Sequence, residues 1–101
     1  LLSLRENIIY FENKMDTLVN DDDKVSPVIL CKKGSGMLRG FQLAENIAAG
    51  DFGNISREKG LLLVGAAENT IRLLPPLNTS KEEIDQAFEI LSEVIKEIKK
   101  N

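Results

Sequence analysis

The chain has 101 residues, of which 43% are apolar, and this suits one small globular domain. The formal net charge is −3 with both signs scattered along the chain, which argues against nucleic acid as a partner because phosphate binding requires a basic surface. Histidine is absent, so the commonest general base and the commonest metal ligand are missing, and no metal site is predicted.

The single cysteine, Cys31, excludes an internal disulfide and is consistent with a reducing compartment. No apolar run is long enough to span a membrane, and no basic segment followed by an apolar one opens the sequence. We therefore expect a cytoplasmic protein without a membrane partner.

The first predicted element is a helix over residues 3–20. Its apolar side chains recur every three or four residues, as in a helix with one buried stripe: Leu4, Ile8, Phe11, Met15 and Leu18. The acidic segment 20–24 should end this helix. Its three consecutive aspartates raise the possibility of a calcium loop, but the alternating ligands and the glycine of such a loop are missing. A solvated loop is favoured.

Two strands should follow the first helix. The β-branched run 28–31 predicts the first strand, with Cys31 as a small core residue at its end rather than a nucleophile, because no histidine is present to act as its base. The glycine-rich segment 34–36 predicts a turn into a second strand, 37–43. A phosphate cradle is disfavoured there because a strand, not a helix, comes next.

The second half of the chain predicts a short helix within residues 46–59, ended by Gly60, and then two strands, 61–64 and 70–74, joined by the link 65–69. Two prolines, Pro75 and Pro76, should end the last strand. Ser80 and Glu83 form a capping box, which opens a final helix with a clean apolar stripe: Ile84, Ala87, Phe88, Leu91, Val94, Ile95 and Ile98. This order predicts an α+β fold, with helices covering a small, mainly antiparallel sheet of about four strands.

Several of these segments together resemble the carboxy-terminal part of class III pyridoxal-phosphate aminotransferases. The resemblance rests on the ordered string formed by residues 59–64 and 69–77, and the glycine-rich entry 34–38 and the capping stretch 80–85 fit the same pattern. Residues 1–19 match the helix that opens the family's small domain. The short link 65–69 is similar to that of the acetylornithine aminotransferases within the class.

This resemblance implies a fold-type I enzyme, usually a homodimer, that moves an amino group between N2-acetylornithine and 2-oxoglutarate in arginine biosynthesis. Ornithine, 4-aminobutyrate, diaminopimelate and succinylated substrates remain open. The family's cofactor, pyridoxal phosphate, is bound through a lysine of a large domain that precedes the small one. Residues 1–101 would then be the carboxy-terminal small domain without its large domain, holding no catalytic or cofactor-binding residue and inactive alone.

One functional residue can be transferred from the family to this sequence. The arginine of the family's Arg-x-x-Pro string contacts a substrate carboxylate, and here it is Arg72. A guanidinium group matches a carboxylate with two parallel hydrogen bonds and stays charged at any working pH. A structural ion pair with Glu68 or with an acid on a helix is the alternative role.

Two positions depart from the family pattern. Lys33 stands where the family usually has an arginine, and Arg39 stands where it usually has an apolar or small residue.

Two further functions remain open at this point. The chain could be a free-standing α+β interaction module, since no complete catalytic set is present. It could also be a regulatory domain that binds small anions through Arg72.

Overall fold

The computed structural model describes residues 3–34, 39–73 and 80–100, with the side chain of Leu4 outside that description. The predicted turn at 35–36, the strand residues 37–38 and the prolines 75–76 also lie outside it. In the described part the chain forms α1 (Leu4–Asp21), β1 (Ile29–Lys33), β2 (Arg39–Leu43), α2 (Ala49–Glu58), β3 (Val64–Ala66), β4 (Thr70–Leu73) and α3 (Lys81–Lys100). The predicted α+β fold is confirmed.

The two long helices begin with capping boxes. At α3 the Oγ of Ser80 accepts a hydrogen bond from the amide of Glu83 at 3.2 Å, and the Glu83 carboxylate accepts one from the amide of Ser80 at 3.3 Å, as the sequence predicts. Ser3 and Glu6 make the same reciprocal pair at α1. These caps satisfy amide groups that would otherwise have no partner within the helix.

The four strands form one antiparallel sheet in the order β1-β2-β4-β3. The hairpin predicted between the first two strands and the one predicted between the last two are both present. Helix α2 begins at Ala49, later than the start of the predicted range, and ends before Gly60, which has the positive φ of 99° typical of a glycine after a helix.

The third strand was predicted at residues 61–64 and this placement is wrong, because pairing with β4 begins only at Val64. Gly65 and Ala66 belong to the strand, so the turn is shorter than predicted and contains only residues 67–69. Val64 pairs with Arg72, so Leu63 lies opposite Leu73, the last described residue of β4. Two of the leucines that precede Val64 therefore have no described partner.

Cys31 does not lie in the core, and the prediction that it would is wrong. A β-bulge lies between Ile29, which pairs with Leu43, and Cys31, which pairs with Gln42. The extra residue, Leu30, reverses the alternation of side chains beyond it. Cys31 is consequently exposed on the opposite face of the sheet from Ile29.

The core lies between the helices and one face of the sheet. Three apolar residues of α1, five of α3 and one of α2 are buried there together with strand and loop residues: Phe11, Met15, Leu18, Val28, Ile29, Phe41, Leu43, Phe52, Ile71, Leu73, Ile84, Phe88, Leu91, Val94 and Ile95. The rings of Phe11 and Phe88 meet edge to face with centroids 5.2 Å apart, which joins α1 to α3. Most of the described residues of the two predicted apolar stripes therefore face the core, whereas Ile8 and Ala87 are not part of the buried cluster.

The acidic segment 20–24 is exposed, as the sequence predicts, except at Asp22. Asp22 is buried, and its Oδ2 accepts hydrogen bonds from the amides of Val28 and Ile29, each at 2.8 Å. Its Oδ1 forms an ion pair with Lys99 of α3. Asp21 and Asp23 on either side of it are exposed.

Within the described residues, no helix has both the length and the apolar character needed to cross a bilayer.

Candidate functional site

The site is built on the sheet face turned away from the core, which we call the outer face. Pairing places Lys33 opposite Gly40, Gly40 opposite Arg72, and Arg72 opposite Val64. Residues that pair directly across a sheet project to the same side. Lys33 of β1 and Arg72 of β4 therefore point to the outer face from the two sides of Gly40, which has no side chain.

Gly40 can only be a glycine in this position. A Cβ atom built on it would lie 2.4 Å from the backbone carbonyl oxygen of Ile71, closer than any carbon atom can approach. A groove of about 220 Å³ lies on the outer face beside Gly40, and its lining includes Lys33, Arg39, Gly40, Glu68 and Arg72. The groove is thus open between two cationic side chains.

Arg72 is exposed and, within the described residues, makes no ion pair or hydrogen bond through its side chain. The alternative pairing with Glu68 is not observed, because the carboxylate of Glu68 lies 4.0 Å from the Nζ of Lys33 instead. The backbone of Arg72 is fixed in the sheet, since β4 has β2 on one side and β3 on the other. The structure therefore presents a guanidinium group at a defined place beside the groove. Its contact with a substrate carboxylate stays a prediction.

Arg39 and Lys32 belong to the opposite, core-facing side of the sheet. Arg39 pairs with Glu12 of α1 and only 12% of its side chain is exposed, while Lys32 contacts Glu12 and Asp16 at 2.8 and 2.7 Å. The hydrogen bond from Lys32, with the nearby charge of Arg39, lowers the pKa of Glu12. These two cations attach β1 and β2 to α1 through acidic partners, although Arg39 also lines the groove.

Asn69 is a positioning residue that the sequence analysis missed. Glu68 and Asn69 form the β3–β4 turn with φ values of 61° and 54°, the left-handed region that asparagine tolerates better than most residues. The Asn69 side chain accepts a hydrogen bond from the amide of Ala49 at 3.0 Å and donates to the carbonyl oxygens of Ala44 and Ile47 at 3.1 and 2.6 Å. It thereby fixes the turn beside Arg72 to the start of α2. An asparagine directly before a predicted strand was the available signal.

Lys32 and Lys33, the two lysines at the end of β1, do not fit the Schiff-base lysine of a pyridoxal-phosphate site. A lysine that forms a Schiff base must lose its proton, which requires a lowered pKa, usually through burial or a neighbouring cation. Lys33, the lysine of the groove, has 44% of its side chain exposed and lies beside a carboxylate. Hydrogen bonds to Asp16 and Glu12 raise the pKa of Lys32, the opposite of what such a lysine needs.

Comparison with known proteins identifies the family. A model of the class-III aminotransferases matches residues 3–95. The chain belongs to the class-III aminotransferases. Across its whole length, this aminotransferase chain is 33% identical to the mitochondrial acetylornithine aminotransferase of Debaryomyces hansenii, and it covers 21% of that protein.

Two further comparisons agree with this assignment. The chain is 40% identical to an acetylornithine aminotransferase of Listeria monocytogenes over 85% of its own length and 21% of that protein. The solved structure of an ornithine aminotransferase from Plasmodium yoelii superposes on 93% of the chain with a TM-score of 0.78 and 25% identity, and the match covers 24% of that structure. This class-III aminotransferase chain thus spans about a fifth to a quarter of the proteins it matches.

Proposed function

We propose that this chain is the substrate-binding small domain of an aminotransferase that exchanges an amino group between N2-acetylornithine and 2-oxoglutarate. Arg72 would bind a substrate carboxylate. The observation that carries the proposal is an exposed guanidinium group, fixed on an inner strand beside an open groove, with no acidic partner in the described part of the chain. The names of several relatives, which are acetylornithine aminotransferases, support this donor substrate.

The chain spans about a fifth to a quarter of the proteins it matches, and this favours a small domain rather than a complete enzyme. Transamination needs pyridoxal phosphate, which supplies the electron sink for the reaction when it is bound. We propose that a preceding large domain holds this cofactor, that the enzyme is a homodimer, and that it works in the cytoplasm in arginine biosynthesis. The chain's own part is then confined to binding and orienting the substrate.

The chemistry of Arg72 suits that part. A guanidinium group gives a carboxylate two parallel hydrogen bonds and so fixes its orientation as well as its position. Fixing the position of a substrate lowers the barrier of the reaction because less freedom is lost on the way to the transition state. An arginine held by the sheet can do this without a movement of the backbone.

Kinetics of the polypeptide that joins this chain to a cofactor-binding large domain would test the proposal. Arg72→Ala should lower kcat/KM for 2-oxoglutarate at least tenfold, a loss of about 1.4 kcal/mol or more, and leave cofactor absorbance unchanged. Arg57→Ala is the matched control, because Arg57 is also exposed but lies on α2. Unchanged kinetics in Arg72→Ala would refute the assignment.

The same assay separates the donor substrates. Ornithine aminotransferases are also among the relatives, at 36% identity for one from Exiguobacterium. We expect N2-acetylornithine to be used with a higher kcat/KM than ornithine or 4-aminobutyrate. A preference for ornithine would retain the role of Arg72 and replace the proposed donor.

A further inference from the structure

We propose that the free edge of β3 is an interaction surface and that its partner is a second copy of this chain, paired antiparallel so that two sheets become one. This association does not depend on the aminotransferase reaction. β3 has β4 on one side and, within the described residues, no strand on the other. The amide and carbonyl groups that an edge strand turns outward can pair with another strand.

The side chains at this edge form an apolar patch. Burial alternates along residues 61–64, as it does in a strand with one covered face. Leu61 and Leu63 pack against the core, whereas Leu62 is 74% exposed and Val64 is 50% exposed. Leu62 and Val64 therefore present apolar surface on the outer face, at the edge of the sheet.

The charges along this segment favour a second copy in antiparallel orientation. Residues 61–67 carry no charge, with Lys59 before this run and Glu68 after it. An antiparallel pair of copies brings Lys59 of each towards Glu68 of the other, so opposite charges meet at both ends. A parallel pair would bring each charge beside its own copy.

The partners that these two charges have within the chain do not prevent this arrangement. Lys59 contacts Glu97 at 3.4 Å, and both side chains are partly exposed. Glu68 lies 4.0 Å from the Nζ of Lys33, at the limit of an ion pair. Exposed pairs of this kind contribute little free energy, so they can be exchanged at low cost.

Antiparallel pairing also covers the apolar patch. Val64 is the middle residue of the uncharged run 61–67, so the register that matches the charges places Val64 opposite Val64 of the second copy. Side chains directly opposite each other have Cβ atoms about 4.5–5.5 Å apart, and diagonal neighbours such as Leu62 remain within reach. The patch of each copy is thereby removed from water, which supplies the attraction.

The opposite edge of the sheet is protected from such pairing. β1 carries the exposed lysines Lys32 and Lys33 and has a bulge between Ile29 and Cys31. Lysines and bulges are two of the devices by which edge strands avoid association. Residues 61–66 contain neither charge nor proline, so we expect association at β3 and not at β1.

Sedimentation velocity of this chain over a range of concentrations would test the proposal. Because so short an edge buries less area than a standard interface, we expect a dimer with a Kd on the order of 10–100 µM. Val64→Lys and Val64→Glu should each weaken association at least tenfold, since like charges then face each other across the pair. An equimolar mixture of the two variants should associate again.

Ile9→Lys is the matched control. Ile9 is 51% exposed, close to the value for Val64, but lies on α1, which is attached to β1 at the other side of the sheet. This variant should leave the Kd unchanged. Hydrogen exchange gives a second readout on the unaltered chain, because amides within residues 62–66 should exchange more slowly at high than at low concentration.

Four results would overturn the proposal. They are a monomer at every concentration up to about 1 mM, an unchanged Kd in Val64→Lys, an equal loss of association in Ile9→Lys, and exchange within residues 62–66 that does not depend on concentration. A mixture of Val64→Lys and Val64→Glu that stays monomeric would show that residue 64 does not face its own copy and would reject the antiparallel register.

Discussion

The carboxylate of Asp22 lies 3.2 Å from the Nζ of Lys99, although only 2% of the Asp22 side chain is exposed. The same carboxylate accepts the amides of Val28 and Ile29. It therefore joins the end of α1, the entry to β1 and the end of α3 at one point. A buried carboxylate with this many partners is structural, and each partner compensates part of the cost of removing the charge from water.

We expect Asp22→Ala to lower the free energy of unfolding by roughly 2–4 kcal/mol, because it leaves two buried amides and a lysine without their acceptor. Urea denaturation monitored by circular dichroism would measure the loss. Asp21→Ala is the matched control, since Asp21 is exposed, and it should change stability by less than about 0.5 kcal/mol. Equal stabilities for the two variants would contradict the structural role of Asp22.

Two glycines should respond in opposite directions to alanine. Gly40→Ala places a Cβ against the carbonyl oxygen of Ile71 and should cost about 1–3 kcal/mol, because the central strands must separate. Gly53→Ala in α2 meets nothing within 4 Å and should stabilise by roughly 0.5–1 kcal/mol through helix propensity. Thermal unfolding of both variants would show whether each change raises or lowers stability. An unchanged stability in Gly40→Ala would disprove the close approach of residue 40 to the carbonyl oxygen of Ile71.

Replacement of Asn69 should loosen the segment before α2. Asn69→Asp keeps the acceptor for the amide of Ala49 but removes the donors to the carbonyl oxygens of Ala44 and Ile47, at an expected cost of about 1–3 kcal/mol. The amide of Phe52 donates a hydrogen bond to the carbonyl oxygen of Ala48. Hydrogen exchange of this amide should accelerate more than exchange in α3. Uniform acceleration throughout the chain would show a global effect instead of a local one.

Stability should fall in acid partly through Glu12. Folding lowers the pKa of Glu12 below its ordinary value of 4.5. As the pH falls, Glu12 is therefore protonated in the unfolded chain at a higher pH than in the folded chain. The contribution of the Glu12 carboxylate to the free energy of unfolding is complete above about pH 4.5 and is lost as the pH falls through the pKa of Glu12 in the folded chain. Glu12→Gln should be less stable than the unaltered chain by roughly 1–3 kcal/mol at pH 7, with the difference shrinking below that pH.

Urea denaturation at pH 7 and at pH 3 would measure that difference. Glu58→Gln is the control, because Glu58 is exposed on α2, and its difference from the unaltered chain should be small at both pH values. A Glu12→Gln difference of the same size at both pH values would show that its carboxylate charge does not stabilise the fold.

The sequence predicts the three helices and the antiparallel hairpins because helical periodicity and capping depend on residues close together in the chain. The position of Cys31 depends instead on a bulge, which is set by pairing with β2 and has no local signal at Leu30. The assignment of β3 likewise depends on pairing with β4, which begins at Val64. These two wrong predictions concern pairing between strands, where neighbours in space are distant in sequence.

The candidate site was predicted only in part. The family pattern pointed to Arg72, and the departure at Lys33 drew attention to a residue that the structure places in the same row. The roles of Gly40 and Asn69 could not be deduced, because each depends on a contact with a distant segment: the carbonyl of Ile71 for one and the residues before α2 for the other. The burial of Asp22 escaped prediction for the same reason.

The position of Arg72 on an inner strand has an entropic consequence. Hydrogen bonds to β2 and β3 immobilise its backbone before any ligand arrives, so binding must order only the guanidinium arm. Ordering such a side chain costs about 2 kcal/mol at most, whereas ordering a residue of a loose loop adds another 1–2 kcal/mol for its main chain. More of the attraction between arginine and carboxylate is then retained as affinity.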